Sequence, residues 1–376
     1  MPKKQFENDQ QTIERLKHLG TKILNQLKDP ENDNLTIETK VRSKSNVEYD
    51  EEDGRLSLGD SYSTRKFLNI SHARKFMQTM LVANKTKELV QEGRTASIRE
   101  VYYQLKHSVP GLEENTFEDQ DESNNVVVDI ETATDVIRED LHLFAEPKGR
   151  LFGPVKINDS GDIIDGMSMG TSGMAINSLV DHFEFVECNA DFILVVETSA
   201  MVNRLVEEDF HKDHNAIIIG TGGQPARGAR RLINMMHNEL DLPVYVFTDG
   251  DPWGYYIYSV LKSGSMSLAF QSDRLATPAA KLIGMTMEDI EEYGLEHVTE
   301  DLKGKSSDNG GPTKDYKRIN DIQDYKWMQN KDWQNQLQKM IDKGVRVEQQ
   351  ALAANSLEFV ANEYLPEKIE NKNFLD

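Results

Sequence analysis

The spacing of hydrophobic and polar residues changes near residue 185, and this change predicts two kinds of domain in one chain. Before residue 160 most apolar positions recur at the spacing of a helix. The pattern predicts a short edge strand at 35–41 and helices at 10–28, at 71–91, from 97, and from 132 to 144. This part of the chain is therefore predicted to be a small helical domain.

The end of the helical part has the sequence AEPKGRLFGPVKI, in which Pro147 to Gly149 favour a turn between two potential strands. Three helices followed by a hairpin with a basic tip are the outline of a winged helix. We therefore predict a winged-helix domain at 71–158, preceded by an N-terminal extension at 1–70 that contains an amphipathic helix. Residues 159–184 are rich in Gly, Ser and Met and predict a linker.

From residue 185 onward, apolar runs alternate with helical stretches. The runs are at 192–196, 216–219 and 244–247, and the helical stretches are at about 200–210, 225–240 and 254–263. This alternation is typical of a parallel sheet with covering helices. Residues 303–314 predict a loop and the rest is mostly helical, so 185–376 is predicted to be a Rossmann-like α/β domain with C-terminal helices. The fold class is thus multidomain, α+β followed by α/β.

The segment SIREVYYQLKH places two tyrosines on different faces of one predicted helix. Ser97 and Glu100 form an S-x-x-E capping box, which marks the start of the helix. An apolar stripe then includes Tyr102 but not Tyr103, whose helical neighbours are Arg99, Lys106 and His107. Because a phenol needs electrostatic help to attack a phosphate, this basic neighbourhood suits a nucleophile at Tyr103. The alternative is an ordinary surface tyrosine.

Three acidic residues follow two of the predicted strands. Glu197 ends the first strand, and Asp249-Gly-Asp251 ends the third. Functional residues of parallel sheets collect at the carboxyl ends of strands, and oxygen donors suit Mg²⁺. We predict that Glu197, Asp249 and Asp251 converge on Mg²⁺; the alternative is that the D-G-D sequence is a surface turn.

The composition gives mixed signals about partners. The chain has 376 residues, a net charge of −21 and one cysteine, Cys188, so it cannot form an internal disulfide. Such acidity argues against simple DNA binding, which depends on Lys and Arg. Local basic groups are the counter-argument, and the candidate DNA contacts are Arg227, Arg230, Arg231, Lys148 and Arg150. The absence of a long apolar run and of a signal-like N-terminus predicts a cytoplasmic protein without a membrane span.

These motifs together resemble one family. Arg99-Glu-Val-Tyr-Tyr103, then Glu197, then Asp249-x-Asp251-Pro-x-Gly resemble the A subunits of archaeal DNA topoisomerase VI, whose relatives include the transesterase that makes meiotic double-strand breaks. The resemblance extends from about residue 65 to the C-terminal stretch GVRVEQQALAANSLEFVANEYLPEKI. It implies a winged-helix domain followed by a Toprim domain, with Tyr103 as nucleophile, Arg99 beside it, and a metal site at Glu197, Asp249 and Asp251.

The resemblance also implies partners. Members of the family act as homodimers on double-stranded DNA, and each tyrosine meets the metal site of the other protomer. They pair with an ATP-binding B subunit in an A2B2 complex, and the N-terminal helix here is a candidate for docking on that subunit. The glycine-rich sequence GTGGQPARGARRL matches neither common nucleotide-binding motif, which agrees with an ATP site on a partner. The alternatives are a break-forming transesterase that does not reseal, a metal-dependent Toprim nuclease, and a non-enzymatic DNA binder.

Overall fold

The two hydrophobic patterns fold as two separate units in the computed structural model, which describes residues 9–111, 113–302 and 313–376. The first unit takes the chain up to Val47 together with Leu58–Glu146, and the second takes Glu48–Ser57 together with Pro147–Asp376. The start of the predicted N-terminal extension and residues 303–312 of the predicted loop lie outside the described residues.

The first unit is mainly helical, as the sequence predicts. Its helices are α1 (Asp9–Lys28), α2 (Ile70–Glu92), α3 (Ile98–Leu105) and α4 (Gln120–Thr134). Up to residue 146 the strands are β1 (Thr36–Lys40), β2 (Val47–Asp50), β3 (Arg55–Leu58), β4 (Tyr62–Lys66), β5 (Ala96–Ser97) and β6 (Leu143–Phe144). Strand β1 pairs antiparallel with β4, and β5 pairs parallel with β6. Strands β2 and β3 pair with each other and belong mostly to the second unit.

The predicted helix from 132 to 144 is wrong, because the structure has helix α4 at Gln120–Thr134 instead. Asp119 begins this helix by accepting a hydrogen bond from the Glu122 N–H, and Asp135 ends it in the left-handed conformation at φ 54°. The first turns of α4 are polar, so the hydrophobic pattern hides its start. Leu141 and Leu143 still join the core of the unit, but from a turn and a strand.

The second unit contains the parallel sheet and its helices. Its further strands are β7 (Arg150–Phe152), β8 (Val155–Asp159), β9 (Asp162–Asp165), β10 (Met174–Ala175), β11 (Phe183–Cys188), β12 (Phe192–Val196), β13 (Ala216–Gly220), β14 (Val244–Phe247), β15 (Lys281–Gly284), β16 (Glu300–Asp301) and β17 (Val345–Arg346). Its helices are α5 (Ser199–Glu207), α6 (Phe210–Asp213), α7 (Arg227–Leu240), α8 (Pro252–Ser263), α9 (Ser272–Leu275), α10 (Asp289–Glu292), α11 (Lys314–Gln323), α12 (Lys331–Lys343) and α13 (Leu365–Glu370).

The order of the main sheet explains where functional residues collect. Its strands follow the order β10-β7-β13-β12-β14-β15, and β12 is parallel to both β13 and β14. The chain therefore moves to one side of β12 for β13 and to the other side for β14. Such a reversal leaves a crevice at the carboxyl ends of the strands on either side of it. The three predicted strands and the three helices that alternate with them are confirmed, with shifts of one to three residues at their ends.

The predicted boundaries at 158 and 184 need correction. Strands β6 and β7 flank Pro147–Gly149 but do not form a hairpin, because β6 pairs with β5 and β7 pairs with β10 and β13. Leu151 and Phe152 of β7 are buried in the core of the second unit, which draws this strand into the main sheet. The predicted linker at 159–184 contains β9 and β10 and is therefore structured. Within the described residues, no helix is both long and apolar enough to cross a bilayer.

Candidate active site

Helix α3 presents Tyr103 to solvent. Ser97 Oγ accepts a hydrogen bond from the Glu100 N–H at 3.1 Å, and a Glu100 carboxylate oxygen accepts one from the Ser97 N–H at 2.6 Å, so the predicted capping box is formed. Tyr102 is 8% exposed, whereas Tyr103 is 61% exposed. The predicted difference between the two tyrosine faces is therefore confirmed.

The two basic neighbours of the tyrosine pair have different partners. The guanidinium carbon of Arg99 lies 5.8 Å from the centre of the Tyr103 ring, and a hydrogen bond with Tyr103 raises the pKa of Arg99. Lys106 instead donates to the Tyr102 hydroxyl and to the Glu118 carbonyl, both at 2.9 Å. The Tyr102 hydroxyl itself donates to the Glu118 carbonyl at 3.1 Å. Tyr102 is thus fixed in place, and Arg99 is the cation beside Tyr103.

Glu197 and Asp249 meet at the crevice of the main sheet, in the second unit. They follow the neighbouring strands β12 and β14, and the Asp249 N–H donates to a Glu197 carboxylate oxygen at 3.1 Å. The Glu197 N–H in turn donates to the Phe247 carbonyl at 3.1 Å, which continues the pairing of the two strands. The parallel sheet therefore holds these two carboxylates side by side, as the sequence predicts.

Asp251 caps the helix that follows the D-G-D sequence, and its role as a metal ligand stays a prediction. Its Oδ1 accepts hydrogen bonds from the N–H groups of Trp253 and Gly254 at 2.9 and 2.7 Å and so caps the start of α8. Its Oδ2 lies 4.0 Å from Arg346 Nη1. Because one oxygen caps a helix and the other faces a guanidinium, the third carboxylate does not join the other two in a ready-made ligand set.

Gln349, which is fully buried, connects the two strand ends that carry Glu197 and Asp249. Its backbone N–H donates to Asp249 Oδ1 at 2.8 Å, and its side-chain amide donates to the Phe247 carbonyl at 2.8 Å. Its side-chain oxygen accepts hydrogen bonds from the Thr198 hydroxyl at 2.8 Å and the Thr198 N–H at 3.3 Å. Since Thr198 adjoins Glu197 in sequence, Gln349 fixes the position of one carboxylate relative to the other.

The carboxylates of this site are crowded and poorly solvated. Burial raises the pKa of Glu197 to about 8, and the negative charges of Asp249 and Asp251 act in the same direction. Burial also raises the pKa of Asp249 to about 6, although the Gln349 N–H and Arg346 partly oppose this effect. The pKa of Asp251 is raised in the same way by burial. The positively charged groups and N–H donors around these three carboxylates therefore do not balance the negative charge that they carry when ionised.

This uncompensated charge fits a divalent cation. Carboxylate oxygens are the donors that Mg²⁺ prefers, and one or two of them suffice when phosphate and water complete the coordination. Glu197 and Asp249 supply such a pair. Among residues 9–111, 113–302 and 313–376, no set of three His, Cys, Asp or Glu side chains is already placed to enclose a metal. The donor set therefore fits a cation shared with a substrate better than a closed structural metal site.

Comparison with known proteins decides the family. A model of the Toprim domain of the topoisomerase 6 A subunit and Spo11 matches residues 192–369, and one described as "Type IIB DNA topoisomerase" matches residues 74–143. The A subunit of type 2 DNA topoisomerase 6 from Pyrococcus abyssi is 50% identical over 376 residues, which are all of this chain and 98% of the relative. The chain belongs to the family of topoisomerase 6 A subunits.

Other members of this family are also similar along most of their length. The A subunit from Pyrococcus horikoshii is 50% identical over 100% of this chain and 98% of the relative. The A subunit from Hyperthermus butylicus is 39% identical over 92% of this chain and 91% of the relative. The Toprim match covers Glu197, Asp249 and Asp251, and the type IIB match covers Tyr103. The family resemblance of the sequence motifs is therefore confirmed.

The basic residues predicted to contact DNA differ in their availability. Arg230 is buried, its Nε donates to the Leu275 carbonyl at 3.4 Å, and burial lowers its pKa to about 10. The structure thus removes Arg230 from the candidate DNA contacts, because a buried guanidinium presents no surface to a phosphate. Arg231 pairs with Asp181 at 2.6 Å.

The four candidates other than Arg230 stay predictions. Arg227 begins α7. Lys148 Nζ donates to the Gln224 carbonyl at 2.7 Å, and Arg150 Nη2 donates to Asn203 at 2.9 Å. Lys148 and Arg150 are therefore anchored to neighbouring protein atoms, and any contact with DNA would use their further N–H donors.

Residues 346–349 also contribute to the site, and no sequence motif predicts this contribution. Arg346 faces Asp251, and Gln349 bonds to Asp249. The available signal was the alternation in Val345-Arg346-Val347-Glu348, which is typical of a strand with one buried face. The sequence alone could not show that this short segment lies against the D-G-D sequence about a hundred residues earlier.

Proposed function

We propose that this chain is the DNA-cleaving and rejoining subunit of an ATP-dependent type II topoisomerase of the type IIB family. The observation that carries the proposal is the exposed phenol of Tyr103 beside Arg99, on a capped helix, in a chain that is 50% identical over its whole length to a topoisomerase 6 A subunit. Transient breaks in both DNA strands would let a second duplex pass, which relaxes supercoils and separates linked circles.

The proposed chemistry is a transesterification. The Tyr103 oxygen attacks a backbone phosphorus and loses its proton, a phosphotyrosyl bond forms at the DNA 5′ end, and the bond to the 3′-oxygen breaks as that oxygen gains a proton. Arg99 is placed to stabilise the negative charge of the phosphate and of the tyrosine oxygen. The reverse attack by the 3′-hydroxyl reseals the strand without another energy source, because one phosphoester replaces another.

The cation of this reaction would be Mg²⁺, held by Glu197 and Asp249, with Asp251 nearby. When bound, it supplies positive charge that stabilises the phosphate and the leaving oxygen. The chain's own contribution is to hold the two carboxylates together through the sheet and through Gln349. The high pKa values of Glu197 and Asp249 support this assignment, because a bound cation would offset the burial and the repulsion that raise them.

The first unit would be the winged-helix domain that carries the nucleophile to DNA. Helices α2, α3 and α4 with the small β5–β6 sheet support this interpretation. We place the activity in a homodimer in which Tyr103 of one protomer acts with the carboxylates of its partner, as the family resemblance implies. Two tyrosines then cut the two strands of one duplex.

The ATP would bind to a partner B subunit, in an A2B2 complex located at the nucleoid in the cytoplasm. An exposed apolar surface on the first unit supports a docking site for this partner. Leu27, Phe67 and Leu68 line one cavity there and are 44–70% exposed, and Leu24 and Ile70 are further exposed apolar side chains of the same unit. Such a concentration of apolar groups is typical of a surface that a partner covers, and Leu24 and Leu27 belong to the helix α1 that the sequence nominates for docking.

A cleavage assay tests the proposed function. The chain would be mixed with its ATPase partner, supercoiled DNA, Mg²⁺ and nucleotide, and the reaction stopped with detergent. We expect protein attached to 5′ ends, and no attachment by the Tyr103→Phe variant. Breaks with free 5′-phosphates that persist in Tyr103→Phe would support the metal-dependent nuclease instead. Breaks that form but do not reseal when Mg²⁺ is kept present and the nucleotide is removed before denaturation would support a transesterase that does not reseal.

A further inference from the structure

The segment 346–349 runs antiparallel to the D-G-D sequence and pairs with it at one point. The Gly250 N–H donates to the Val347 carbonyl at 2.8 Å, and the Val347 N–H donates to the Gly250 carbonyl at 3.2 Å. When two residues of an antiparallel pair exchange both hydrogen bonds, the residues on either side of them also lie opposite each other. This register places Arg346 opposite Asp251 and Glu348 opposite Asp249.

The side chains of the first pair, Arg346 and Asp251, lie close to each other. Arg346 Nη1 lies 4.0 Å from Asp251 Oδ2, and Arg346 is held there by an ion pair with Glu300, which lies opposite it in the β16–β17 pair. The second pair is fixed by the next residue, because the Gln349 N–H donates to Asp249 Oδ1 at 2.8 Å. The backbone on both sides of Glu348 is therefore tied to the D-G-D sequence.

The side-chain alternation of this pair puts Glu348 on the face of the carboxylates. Val347 is fully buried, and a Cβ added at Gly250 would meet Val347 Cγ1 at 2.7 Å. Val347 and Gly250 thus share the buried face. Because successive residues of an extended segment point to opposite faces, Glu348 and Asp249 share the other one.

The Glu348 carboxylate is exposed, and in the part of the chain that the structure describes it has no hydrogen-bond or ion-pair partner. Two like charges directly opposite each other on a strand pair are destabilising. An acidic side chain in this position adds negative charge beside Asp249, and a bound cation would offset that charge.

We propose that Glu348 is a further carboxylate of the divalent-cation site, and that its exposed side chain turns toward Glu197 and Asp249 when the cation binds. This inference rests on the cation site of the proposed function. Asp251 faces Arg346, so its charge is partly balanced there. Glu348 lies opposite Asp249 and supplies the additional carboxylate on that side of the site. The cation is then held from two directions, by the ends of β12 and β14 and by the segment that follows β17.

The test is a titration of the full-length protein with Mn²⁺, followed by electron paramagnetic resonance, in the absence of DNA. We expect Glu348→Gln to bind Mn²⁺ about ten-fold more weakly than the natural chain. Glu348→Asp should recover part of the loss. The matched control is Glu363→Gln, which removes another exposed carboxylate outside the site and should leave the affinity unchanged.

Thermal unfolding separates a cation ligand from a merely structural residue. Without metal, Glu348→Gln should unfold at the same temperature as the natural chain or higher, because a like-charge repulsion is removed. Saturating Mn²⁺ should then raise the unfolding temperature of the natural chain more than that of the variant.

The outcomes of the two measurements are distinct. Equal Mn²⁺ affinity in Glu348→Gln and the natural chain would overturn the role of Glu348 while leaving the cation site intact. A natural chain that binds no Mn²⁺ would overturn both this inference and the cation site of the proposed function. A variant that unfolds at a lower temperature without metal would assign Glu348 a structural role instead.

Discussion

The backbone N–H of Gln349 donates to the carboxylate of Asp249 at 2.8 Å, although 100 residues separate them in the chain. The side chain of Gln349 also bonds to both strands that present the acidic pair, at Thr198 and at Phe247. This buried amide therefore braces the ends of β12 and β14, which the sheet already pairs. This makes Gln349 a positioning residue for Glu197 and Asp249.

Gln349→Ala should weaken divalent-cation binding by about ten-fold, because the side-chain amide that joins Thr198 to the Phe247 carbonyl is lost while the backbone N–H that Asp249 accepts remains. The Phe247 carbonyl and Thr198 would lose their hydrogen bonds, so the two carboxylates would no longer be fixed relative to each other. A Mn²⁺ titration measures the change, and Gln350→Ala, at an exposed neighbouring position, is the control. Unchanged affinity in Gln349→Ala would show that the sheet alone positions the pair.

Ser97→Ala should lower the yield of covalent protein–DNA complex by about five-fold. The variant removes the Oγ that accepts the Glu100 N–H, and loss of such a cap costs about 1 kcal/mol, which corresponds to that factor. Tyr103 lies less than two turns from this cap, so fraying of the helix start moves the nucleophile. Ser97→Thr keeps a capping hydroxyl and should retain most of the yield. If both variants cleave like the natural chain, the cap does not position Tyr103.

Asp129→Asn should destabilise the first unit by about 3–5 kcal/mol, the cost of breaking a buried ion pair. Asp129 lies on α4 and is paired with Arg42 at 2.8 Å and also with Arg65, so its loss leaves two guanidinium groups without their anion. Chemical denaturation, followed by a probe in the first unit, measures the change. Asp121→Asn removes an exposed carboxylate of the same helix and should change stability by less than about 1 kcal/mol. If both variants lose a similar free energy of unfolding, the ion pairs of Asp129 with Arg42 and Arg65 do not stabilise the first unit.

Asp181 should make the second unit sensitive to acid. Burial would raise the pKa of Asp181, but ion pairs with Arg274 and Arg231 outweigh it and lower this pKa below its usual value. The unfolded chain, with a pKa of about 3.9 at this residue, then binds the proton more readily than the folded chain. The stabilisation is therefore present above about pH 4 and is lost as the pH falls through the folded-state pKa.

The measurement is the unfolding temperature between about pH 6 and pH 3. The natural chain should lose stability more steeply than Asp181→Asn at the acidic end of this range, because the variant has no charge to lose there. Parallel curves would mean that the ion pairs of Asp181 contribute nothing to stability.

Local signals made much of this fold predictable. Strands β12, β13 and β14 are continuous apolar runs, and the pattern predicts their ends to within a residue. The capping box predicts the start of α3, and the apolar stripe predicts that Tyr103 is the exposed tyrosine. In these elements the conformation is determined by residues that are close to one another in the sequence.

Contacts between distant segments account for what the sequence did not reveal. No local pattern indicates that β7 joins the main sheet instead of a hairpin, because its pairing with β10 and β13 depends on later parts of the chain. In the D-x-D sequence, the start of α8 at Pro252 makes Asp251 a helix cap, so one of its carboxylate oxygens is engaged by the N–H groups of Trp253 and Gly254. Arg230 is basic in sequence but buried, because α7 packs this face against Leu275.

The most direct test of the central claim is to identify the amino acid that becomes linked to DNA. Cleavage complexes trapped by detergent would be digested with nuclease and trypsin, and the peptide Glu100–Lys106, which contains both tyrosines, would be sequenced by mass spectrometry. We predict a nucleotide adduct on Tyr103, retained in Tyr102→Phe and absent in Tyr103→Phe. An adduct on Tyr102, or DNA breaks without any adduct on this peptide, would contradict the assignment of Tyr103 as the nucleophile.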